Sequence, residues 1–322
     1  MLNYKRMTSP MLCKKGEESV LQDPRYLTDL KADGTRVLVD KRGEDILVYS
    51  RGFKNYTRRL PEIVKAALDI PVDDFHIDGE LVWWKDGKTT FRGSQIRCAN
   101  TFPTPRMLKT YPVELLVFDI IRLYGEDTTK LRLERRKDLL DKYIVGWANE
   151  IIPMAWTIDK KEEMFKEYAA RKEEGVIAKN RHSPYLIGKR SAQWKKVKRW
   201  DVDLVKVIGY TEGTGWREDL FGALAMAIEQ DDGKLKYVGK VGSGFTTEEM
   251  VEYSNIIKSH QIGNEPIKLQ GVKFFPVNPH VMSLRVKYHN VTKDGILRFP
   301  TLSKDDLGRN EIYITDELSS IS

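Results

Sequence analysis

The sequence predicts an α+β protein of two domains, with strands and helices mixed in residues 1–200 and strands dominating residues 201–322. The length of 322 residues suits two domains. Hydrophobic residues make up 41% of the chain and charged residues 31%, which is typical of folded domains with apolar cores. The pattern changes at a basic stretch with two tryptophans, SAQWKKVKRW at residues 191–200. We place the domain boundary and a hinge there.

Residues 1–200 alternate between strand and helix patterns without a regular strand–helix–strand repeat, which favours mostly antiparallel strands. A turn at Gly43 joins the first two predicted strands. Proline is tolerated in the first turn of a helix, so Pro61 fits the start of the first predicted helix. The predicted strands are residues 36–40, 45–50, 75–84 and 113–121, and the predicted helices are residues 60–68, 131–143 and a third capped by Asp159 that runs to about Arg171.

Residues 201–322 contain alternating segments separated by turn sequences. The tripeptides at residues 231–233 and 293–295 end in Gly and are typical of turns. Thr246 and Glu249 have the spacing of a capping box, which predicts a short helix. About five strands with one helix suit a small Greek-key barrel such as an OB-fold, although a β-sandwich is an alternative. The predicted strands are residues 202–210, 223–229, 234–241 and 281–288.

The charge and cysteine content restrict the class of protein. A formal net charge of +7 and a pI near 9.1 favour a polyanionic partner, either nucleic acid or an anionic membrane surface. No apolar run approaches the roughly 18 residues that span a bilayer, which weakens the membrane alternative. Cys13 and Cys98 form no CxxC, and the five histidines lack metal-site spacing. We therefore expect an intracellular, cytoplasmic protein that is not secreted and has reduced thiols.

The first sequence with possible chemistry is KADGTR at residues 31–36. A lysine becomes a nucleophile when burial or nearby cations lower its pKa, so Lys31 is a candidate nucleophile. Asp33 and Gly34 can form a tight turn beside it, and Arg36 can face a phosphate. The alternative is an ordinary surface turn between strands. No phosphate-binding P-loop sequence is present, so any nucleotide must be bound in another way.

Five further positions carry candidate chemistry. Glu80 lies within an apolar strand, where an acid is costly unless it meets a cation, a metal or a ligand hydroxyl; a salt-bridged strand glutamate is the alternative. Phe118 is either a core residue or a stacking platform. Glu174 precedes Gly175, which alternatively caps a helix with solvated charges beside it. Lys196 and Lys198 share one face of a predicted strand, so they bind an anion between them or form a solvated basic edge.

The order and spacing of these positions resemble the covalent nucleotidyltransferases, which include ATP-dependent DNA ligases, RNA ligases and mRNA capping enzymes. The resemblance implies a nucleotidyltransferase domain, with ATP-grasp-like antiparallel sheets and helices, followed by a small β-barrel OB-fold domain. It also implies ATP as cofactor, with AMP carried covalently on Lys31, and Mg²⁺, with Mn²⁺ as an alternative. The implied roles are the adenine pocket for Asp29 and Leu30, nucleotide contacts for Arg36 and Arg51, the ribose for Glu80, base stacking for Phe118, the metal for Glu174 with Glu80, and the α-phosphate for Lys196 and Lys198.

The second half of the chain resembles DNA ligases in particular, and among these the archaeal enzymes and the ligase modules of bacterial end-joining proteins. The similar segments are residues 209–215, 222–224, 237–245 and 292–300. The expected final motif is replaced by TLSKDDLGR at residues 301–309, where Lys304 or Arg309 is the candidate substitute. The resemblance implies a monomer that acts on nicked duplex DNA. An RNA ligase, a GTP-dependent capping enzyme and a non-catalytic OB-fold nucleic-acid-binding protein are the alternatives.

Overall fold

The computed structural model describes residues 6–304 and 309–314, and the chain divides into two compact units, Met1–Arg199 and Trp200–Ser322. The first unit contains twelve described strands and five described α-helices. The strands are β1 (Leu12–Lys15), β2 (Tyr26–Leu30), β3 (Thr35–Arg42), β4 (Asp45–Ser50), β5 (Asp74–Lys85), β6 (Lys88–Thr90), β7 (Glu114–Leu123), β8 (Glu126–Asp127), β9 (Ile151–Pro153), β10 (Trp156–Thr157), β11 (Gly175–Asn180) and β12 (Arg190–Lys198). The helices are α1 (Pro61–Asp69), α2 (Phe91–Ala99), α3 (Pro105–Thr110), α4 (Leu133–Tyr143) and α5 (Lys161–Ala170).

These strands form two sheets. The five-stranded sheet has the order β1-β12-β11-β2-β10, and the seven-stranded sheet has the order β4-β3-β5-β7-β8 with β6 on β5 and β9 on β7. All described pairings in the unit are antiparallel except β1 with β12 and β7 with β9. The prediction of mostly antiparallel strands is therefore confirmed.

Apolar side chains that alternate along the strands of the seven-stranded sheet contribute to two apolar cores. Val37 and Val39 of β3 belong to the core that packs with α1, whereas Leu38 faces the core that also contains Trp194 of β12. Side chains on a strand point alternately to opposite faces, so one strand contributes to both cores. The second core holds the two sheets together through contacts such as Phe118 with Trp194, whose ring centroids are 6.2 Å apart. The cleft described below lies beside this core.

The predicted start of α5 is wrong. The helix begins at Lys161 with Lys160 as its N-cap residue, one residue after Asp159, and no side chain caps it. Instead, the Thr157 hydroxyl accepts a hydrogen bond from the Lys160 backbone N–H at 3.1 Å. This local bond stabilises the turn before the helix and takes the place of the expected aspartate cap.

The second unit is a strand-rich body with one described α-helix, α6 (Thr247–Ser259). Thr246 and Glu249 form the predicted capping box at its start. Met250 and Ile257 of α6 belong to the same apolar core as strand residues such as Leu284. The strands are β13 (Asp201–Glu212), β14 (Phe221–Glu229), β15 (Leu235–Val241), β16 (Ile267–Leu269), β17 (Val272–Pro276), β18 (Met282–Tyr288), β19 (Asn290–Val291), β20 (Leu297–Arg298), β21 (Thr301–Leu302) and β22 (Ile312–Ile314).

The main sheet of the second unit is built around strand β13. One edge of β13 pairs with β14, while its other edge pairs with β18 over residues 201–206 and then with β17 at Gly209 and Tyr210. The register shifts between Val207 and Gly209, and such a bulge lets a strand bend. Of the helices in the described part of the chain, none is long and apolar enough to cross a membrane.

Candidate active site

A cleft of about 520 Å³ opens in the first unit. It lies where the end of β2 and the start of β3 approach β11 and β12. Every residue that the sequence assigns to nucleotide or metal binding contributes to its lining. These residues are Asp29, Leu30, Lys31, Arg36, Arg51, Glu80, Phe118, Glu174, Lys196 and Lys198. The antiparallel pairing of β2, β11 and β12 thus brings together groups that are up to about 170 positions apart in the chain.

Lys31 directly follows β2, and its backbone N–H donates to the Gly175 carbonyl at 2.9 Å. Its ammonium group pairs with Glu174 Oε2. The other oxygen of Glu174 lies 2.6 Å from Lys198 Nζ. One carboxylate therefore joins two ammonium groups inside the cleft. Only 18% of the Lys31 side chain is exposed to solvent.

The backbone conformation at position 175 favours glycine. Gly175 does not cap a helix, so the helix-cap alternative is wrong. Helix α5 ends at Ala170, and Gly175 begins β11 with φ +132°, a value that side-chain-bearing residues rarely adopt. A Cβ at this position would lie 2.2 Å from the Val197 carbonyl oxygen of β12. The glycine thereby lets β11 approach β12 closely enough for Glu174 to reach Lys198.

The charges around Glu174 determine its ionisation. Burial opposes the charged form, but the ammonium groups of Lys31 and Lys198 outweigh burial and hold the pKa of Glu174 below its ordinary value. Lys196 lies two residues before Lys198 and lines the same cleft. Among residues 6–304 and 309–314, Lys196 has no carboxylate partner within ion-pair distance. Lys196 is therefore able to pair with an anionic ligand.

Glu80 lies on β5 on another wall of the cleft. Burial raises the pKa of Glu80 to about 7, against the opposing influence of Arg36 and Lys31. Gly34 makes the close approach possible, because a Cβ there would lie 2.4 Å from the Leu81 carbonyl oxygen and 2.9 Å from Glu80 Cγ. The DG turn after Lys31 therefore packs directly on β5.

Arg36 lines the cleft, but its guanidinium is already held by protein groups. Its Nε donates to Asp78 Oδ1 at 2.5 Å, and its second nitrogen donates to the other oxygen of Asp78. Tyr185 donates its hydroxyl to the same carboxylate at 2.5 Å. Asp78 thus fixes the direction of Arg36, and the expected contact between Arg36 and the nucleotide stays a prediction.

Phe118 is a core residue at the edge of the cleft, since only 5% of it is exposed. The Arg36 guanidinium carbon lies 4.4 Å from its ring centroid and Lys179 Nζ lies 4.1 Å from it. The ring therefore packs against two cations and makes a T-shaped contact with Trp194. Stacking of Phe118 on a base stays a prediction.

The sequence reasoning assigned no role to two buried lysines near Asp29. Lys179 Nζ lies 2.5 Å from one oxygen of Asp29, and Lys137 Nζ lies 2.9 Å from the other. All three side chains are at most 3% exposed. Burial, together with the charge of Lys137, lowers the pKa of Lys179 to about 8 despite the carboxylate of Asp29. One clue was present, because Lys137 lies between Leu133 and Leu140 on the apolar face of α4.

Arg51 follows β4 and is exposed at the rim of the cleft, and Leu30 is buried in its wall. Of the divergent final motif, residues 305–308 lie outside the described part of the chain. Lys304 and Arg309 are both exposed. The predicted substitution of either one for the missing motif therefore stays untested.

The donors in the cleft suit Mg²⁺ bound together with a nucleotide. Among the described residues, no group of three or more His, Cys, Asp or Glu side chains could hold a metal by itself. Mg²⁺ is usually held by one or two carboxylates, with water and substrate phosphates completing its shell. Glu174 and Glu80 provide two such carboxylates in one cleft.

Comparisons with known proteins agree with this geometry. The family described as the ATP dependent DNA ligase domain matches residues 10–198, and the ATP dependent DNA ligase C terminal region matches residues 217–305. A DNA ligase of Thermococcus onnurineus is 32% identical over 84% of this chain and 50% of its own length. The multifunctional non-homologous end joining protein LigD of Mycolicibacterium smegmatis is 30% identical over 91% of this chain and 37% of its own. The chain thus spans half or less of the length of these relatives.

Solved structures share the fold. The ligase domain of LigD from M. tuberculosis aligns over 95% of both chains with 24% identity and a TM-score of 0.56. A mycobacterial DNA ligase D complexed with ATP aligns over 98% of both chains with 23% identity and a TM-score of 0.53. The predicted fold, a nucleotidyltransferase domain followed by an OB-fold domain, is confirmed. The chain belongs to the ATP-dependent DNA ligase family.

Proposed function

We propose that this chain is an ATP-dependent DNA ligase that seals nicks between a 5′-phosphate and a 3′-hydroxyl, with AMP carried on Lys31. The observation that supports this most strongly is the Lys31–Glu174–Lys198 group in a nucleotide-sized cleft. A nucleotide phosphate that displaces Glu174 would meet a shielded lysine beside a second lysine. The family matches support the same chemistry.

In the first step the Lys31 ammonium group loses one proton to solvent and the neutral amine attacks the α-phosphorus of ATP; the nitrogen releases a second proton to solvent once the N–P bond has formed. The new bond is N–P, the bond between the α-phosphorus and the bridging oxygen breaks, and pyrophosphate leaves with the electron pair. Lys31 must first part from Glu174, and a nucleotide phosphate near Lys198 and Lys196 would compensate for that loss. Ammonium groups fixed beside phosphate oxygens stabilise the charge that develops there.

In the second step an oxygen of the DNA 5′-phosphate attacks the phosphorus of the lysyl adduct. The N–P bond breaks, the amine of Lys31 takes up a proton and leaves, and a DNA–adenylate forms. In the third step the 3′-hydroxyl loses its proton to solvent and its oxygen attacks the 5′-phosphorus. AMP leaves with the electron pair of the broken phosphoanhydride bond, and the backbone is continuous.

Other residues of the cleft bind and orient the nucleotide in this proposal. Glu80 accepts a hydrogen bond from a ribose hydroxyl, and Phe118 borders the base. Arg51 at the rim and Arg36 in the wall contact the phosphates. Asp29 and Leu30 line the adenine pocket. When bound near Glu174 and Glu80, Mg²⁺ or Mn²⁺ would neutralise negative charge on the phosphates.

We further propose that residues 1–200 form the adenylation domain and residues 201–322 the OB-fold domain of a monomeric intracellular enzyme. The net charge of +7 supplies a sequence-independent attraction to DNA phosphates. Nick sealing needs no base-specific contacts, so backbone binding is sufficient for the substrate.

The experiment that tests this proposal is intact-mass analysis after incubation with ATP, GTP or NAD⁺ and Mg²⁺, followed by nicked duplex DNA. We expect a mass gain of one AMP with ATP alone, its loss after DNA is added, and a sealed strand. A GMP adduct would instead indicate capping chemistry, and discharge only to nicked RNA would indicate an RNA ligase. Binding of DNA without any adduct would leave only a non-catalytic OB-fold protein.

A further inference from the structure

The buried group formed by Lys137, Asp29 and Lys179, here called the base triad, includes two lysines that have no role in the chemistry described above. Its three side chains come from α4, β2 and β11 and are each at most 3% exposed. Asp29 and Lys179 line the cleft, whereas Lys137 reaches Asp29 from α4. Charged groups are rarely buried to this extent without a structural or functional reason.

The charges of the cleft determine which end of a nucleotide meets the base triad. Phosphates are attracted to Lys31, Lys196 and Lys198 and repelled by the carboxylate of Asp29. Near Asp29 the walls include the rings of Phe118 and Trp194, which suit a planar base. The base of a nucleotide whose α-phosphate reaches Lys31 is therefore the part directed toward Asp29. This step rests on the proposed function.

The base triad presents an acceptor beside a donor. The carboxylate of Asp29 accepts hydrogen bonds, and the ammonium group of Lys179 donates them. Adenine carries an amine donor next to a ring-nitrogen acceptor, which matches this order. Guanine carries a carbonyl acceptor where adenine has its amine, so it would bring two acceptors together at Asp29.

The geometry of Asp29 depends on both lysines. Lys179 donates a hydrogen bond to Oδ2, and the ammonium group of Lys137 lies 2.9 Å from Oδ1, which has no hydrogen-bond partner in the described part of the chain. Lys179 is fixed in turn by Phe118 and Trp194, whose ring centroids lie 4.1 and 4.4 Å from its Nζ. Without Lys137, Oδ1 would lose its cation in a site that water does not reach. A buried carboxylate that loses one partner is free to turn toward the remaining partner.

We propose that Lys137 is a positioning residue that holds the carboxylate of Asp29 in the orientation that selects adenine over guanine. The substitution Lys137→Gln removes the charge, keeps a polar end and shortens the side chain by one atom. We expect the ratio of kcat/KM for ATP to that for GTP, measured by adduct formation, to fall about tenfold. Lys137→Arg, which restores the positive charge, should recover most of that ratio.

Lys142→Gln is the matched control, since Lys142 is an exposed lysine on the same helix. It should leave the ratio unchanged. Lys137→Met provides a second uncharged variant, in which Asp29 keeps its ion pair with Lys179. Thermal melting identifies which variants are folded before their kinetics are compared.

A measurement on the wild-type protein makes the test independent of folding. A triphosphate of purine riboside, which lacks the amine of adenosine, should form its adduct about tenfold more slowly than ATP. The folded Lys137→Gln and Lys137→Met variants should form adducts with the two nucleotides at nearly equal rates. Equal reactivity of both nucleotides in the wild type would overturn the inference, as would equal losses with ATP and GTP in Lys137→Gln. Absence of any adduct in the wild type would instead overturn the proposed function.

Discussion

Two glutamates in the same cleft have opposite electrostatic environments. Glu174 lies between Lys31 and Lys198, and these cations hold its pKa below the ordinary value although burial acts the other way. Glu80 is also shielded from water, but burial outweighs the attraction of Arg36 and Lys31 and raises its pKa to about 7. Glu174 is therefore an anion at neutral pH, whereas Glu80 gains or loses a proton near pH 7.

The comparison shows that position relative to the lysines, more than burial, separates the two acids. A permanent anion suits binding to cations, including the lysines and Mg²⁺. A carboxyl group near its pKa suits a hydrogen bond to a ribose hydroxyl, because it can accept or donate. Substitutions in the cleft can test this division, beginning with the lysine that pairs with Glu174.

The largest effect is expected from Lys31→Ala. Loss of the nucleophile should reduce adduct formation by more than roughly 1000-fold, because no other group would form the bond to phosphorus. Binding to duplex DNA, measured by fluorescence anisotropy, should change little. Lys142→Ala serves as the control on an exposed lysine. Sealing of unadenylylated nicks by Lys31→Ala at the wild-type rate would show that another group carries AMP.

The next effect is expected from Glu174→Gln. Removal of the anion leaves Lys31 and Lys198 without their shared partner and removes a carboxylate ligand for Mg²⁺. We expect the single-turnover rate of adduct formation to fall by about 100-fold. Raising the Mg²⁺ concentration should recover part of the loss. A rate within twofold of the wild type would exclude a role for Glu174 in this step.

Glu80→Gln should affect stability in a pH-dependent way. The folded pKa of about 7 is above the ordinary value of 4.5, so the wild type binds more protons when folded. The contribution of Glu80 to the stability of the wild type is fully present below pH 4.5 and is lost as the pH rises through 7. Gln lacks this titration and should be more stable than Glu by roughly 1–3 kcal/mol at pH 8.

Melting temperatures of Glu80→Gln and Glu174→Gln between pH 5 and pH 8 measure this contrast. Glu174→Gln should be less stable than the wild type at pH 8 by roughly 0.5–1 kcal/mol, since it loses its ion pairs with Lys31 and Lys198 in a partly exposed site. Opposite signs for the two variants are expected. The same sign for both would mean that the two environments are not distinct.

The smallest effect is expected from Lys196→Ala. Lys196 has no carboxylate partner in the described residues, so its loss should weaken phosphate binding without unpairing an acid. The KM for ATP should rise about tenfold with a smaller change in kcat. Lys195→Ala is the control, because Lys195 is the adjacent lysine and its Nζ lies 5.0 Å from the Tyr26 ring. If both variants changed the KM equally, the cause would be the loss of positive charge in general and not the position of Lys196.

Much of the fold followed from local patterns in the sequence. Strands β3, β4, β5 and β7 of the seven-stranded sheet, the helix that starts at Pro61 and the capping box of α6 were predicted because each depends on residues close together in the chain. Strand alternation also predicted that Lys196 and Lys198 share one face. The start of α5 was not predicted, because the hydroxyl of Thr157 replaced Asp159 in stabilising the turn.

The base triad shows why part of the site was missed. Lys137 meets Asp29 across 108 positions of the chain and Lys179 meets it across 150, and no local pattern specifies such contacts. The buried environment of Phe118 also depends on tertiary packing, since both Arg36 and Lys179 reach its ring. A lysine on the apolar face of α4 was the one available indication.

Peptide mapping of the protein after reaction with ATP and Mg²⁺ tests the central claim most directly. Digestion and tandem mass spectrometry should find AMP on the peptide that contains Lys31, with the fragment ions assigning it to that side chain. Addition of nicked duplex DNA should remove it. AMP on Lys196, Lys198 or any residue other than Lys31 would contradict the account, as would an unmodified protein that still seals nicks.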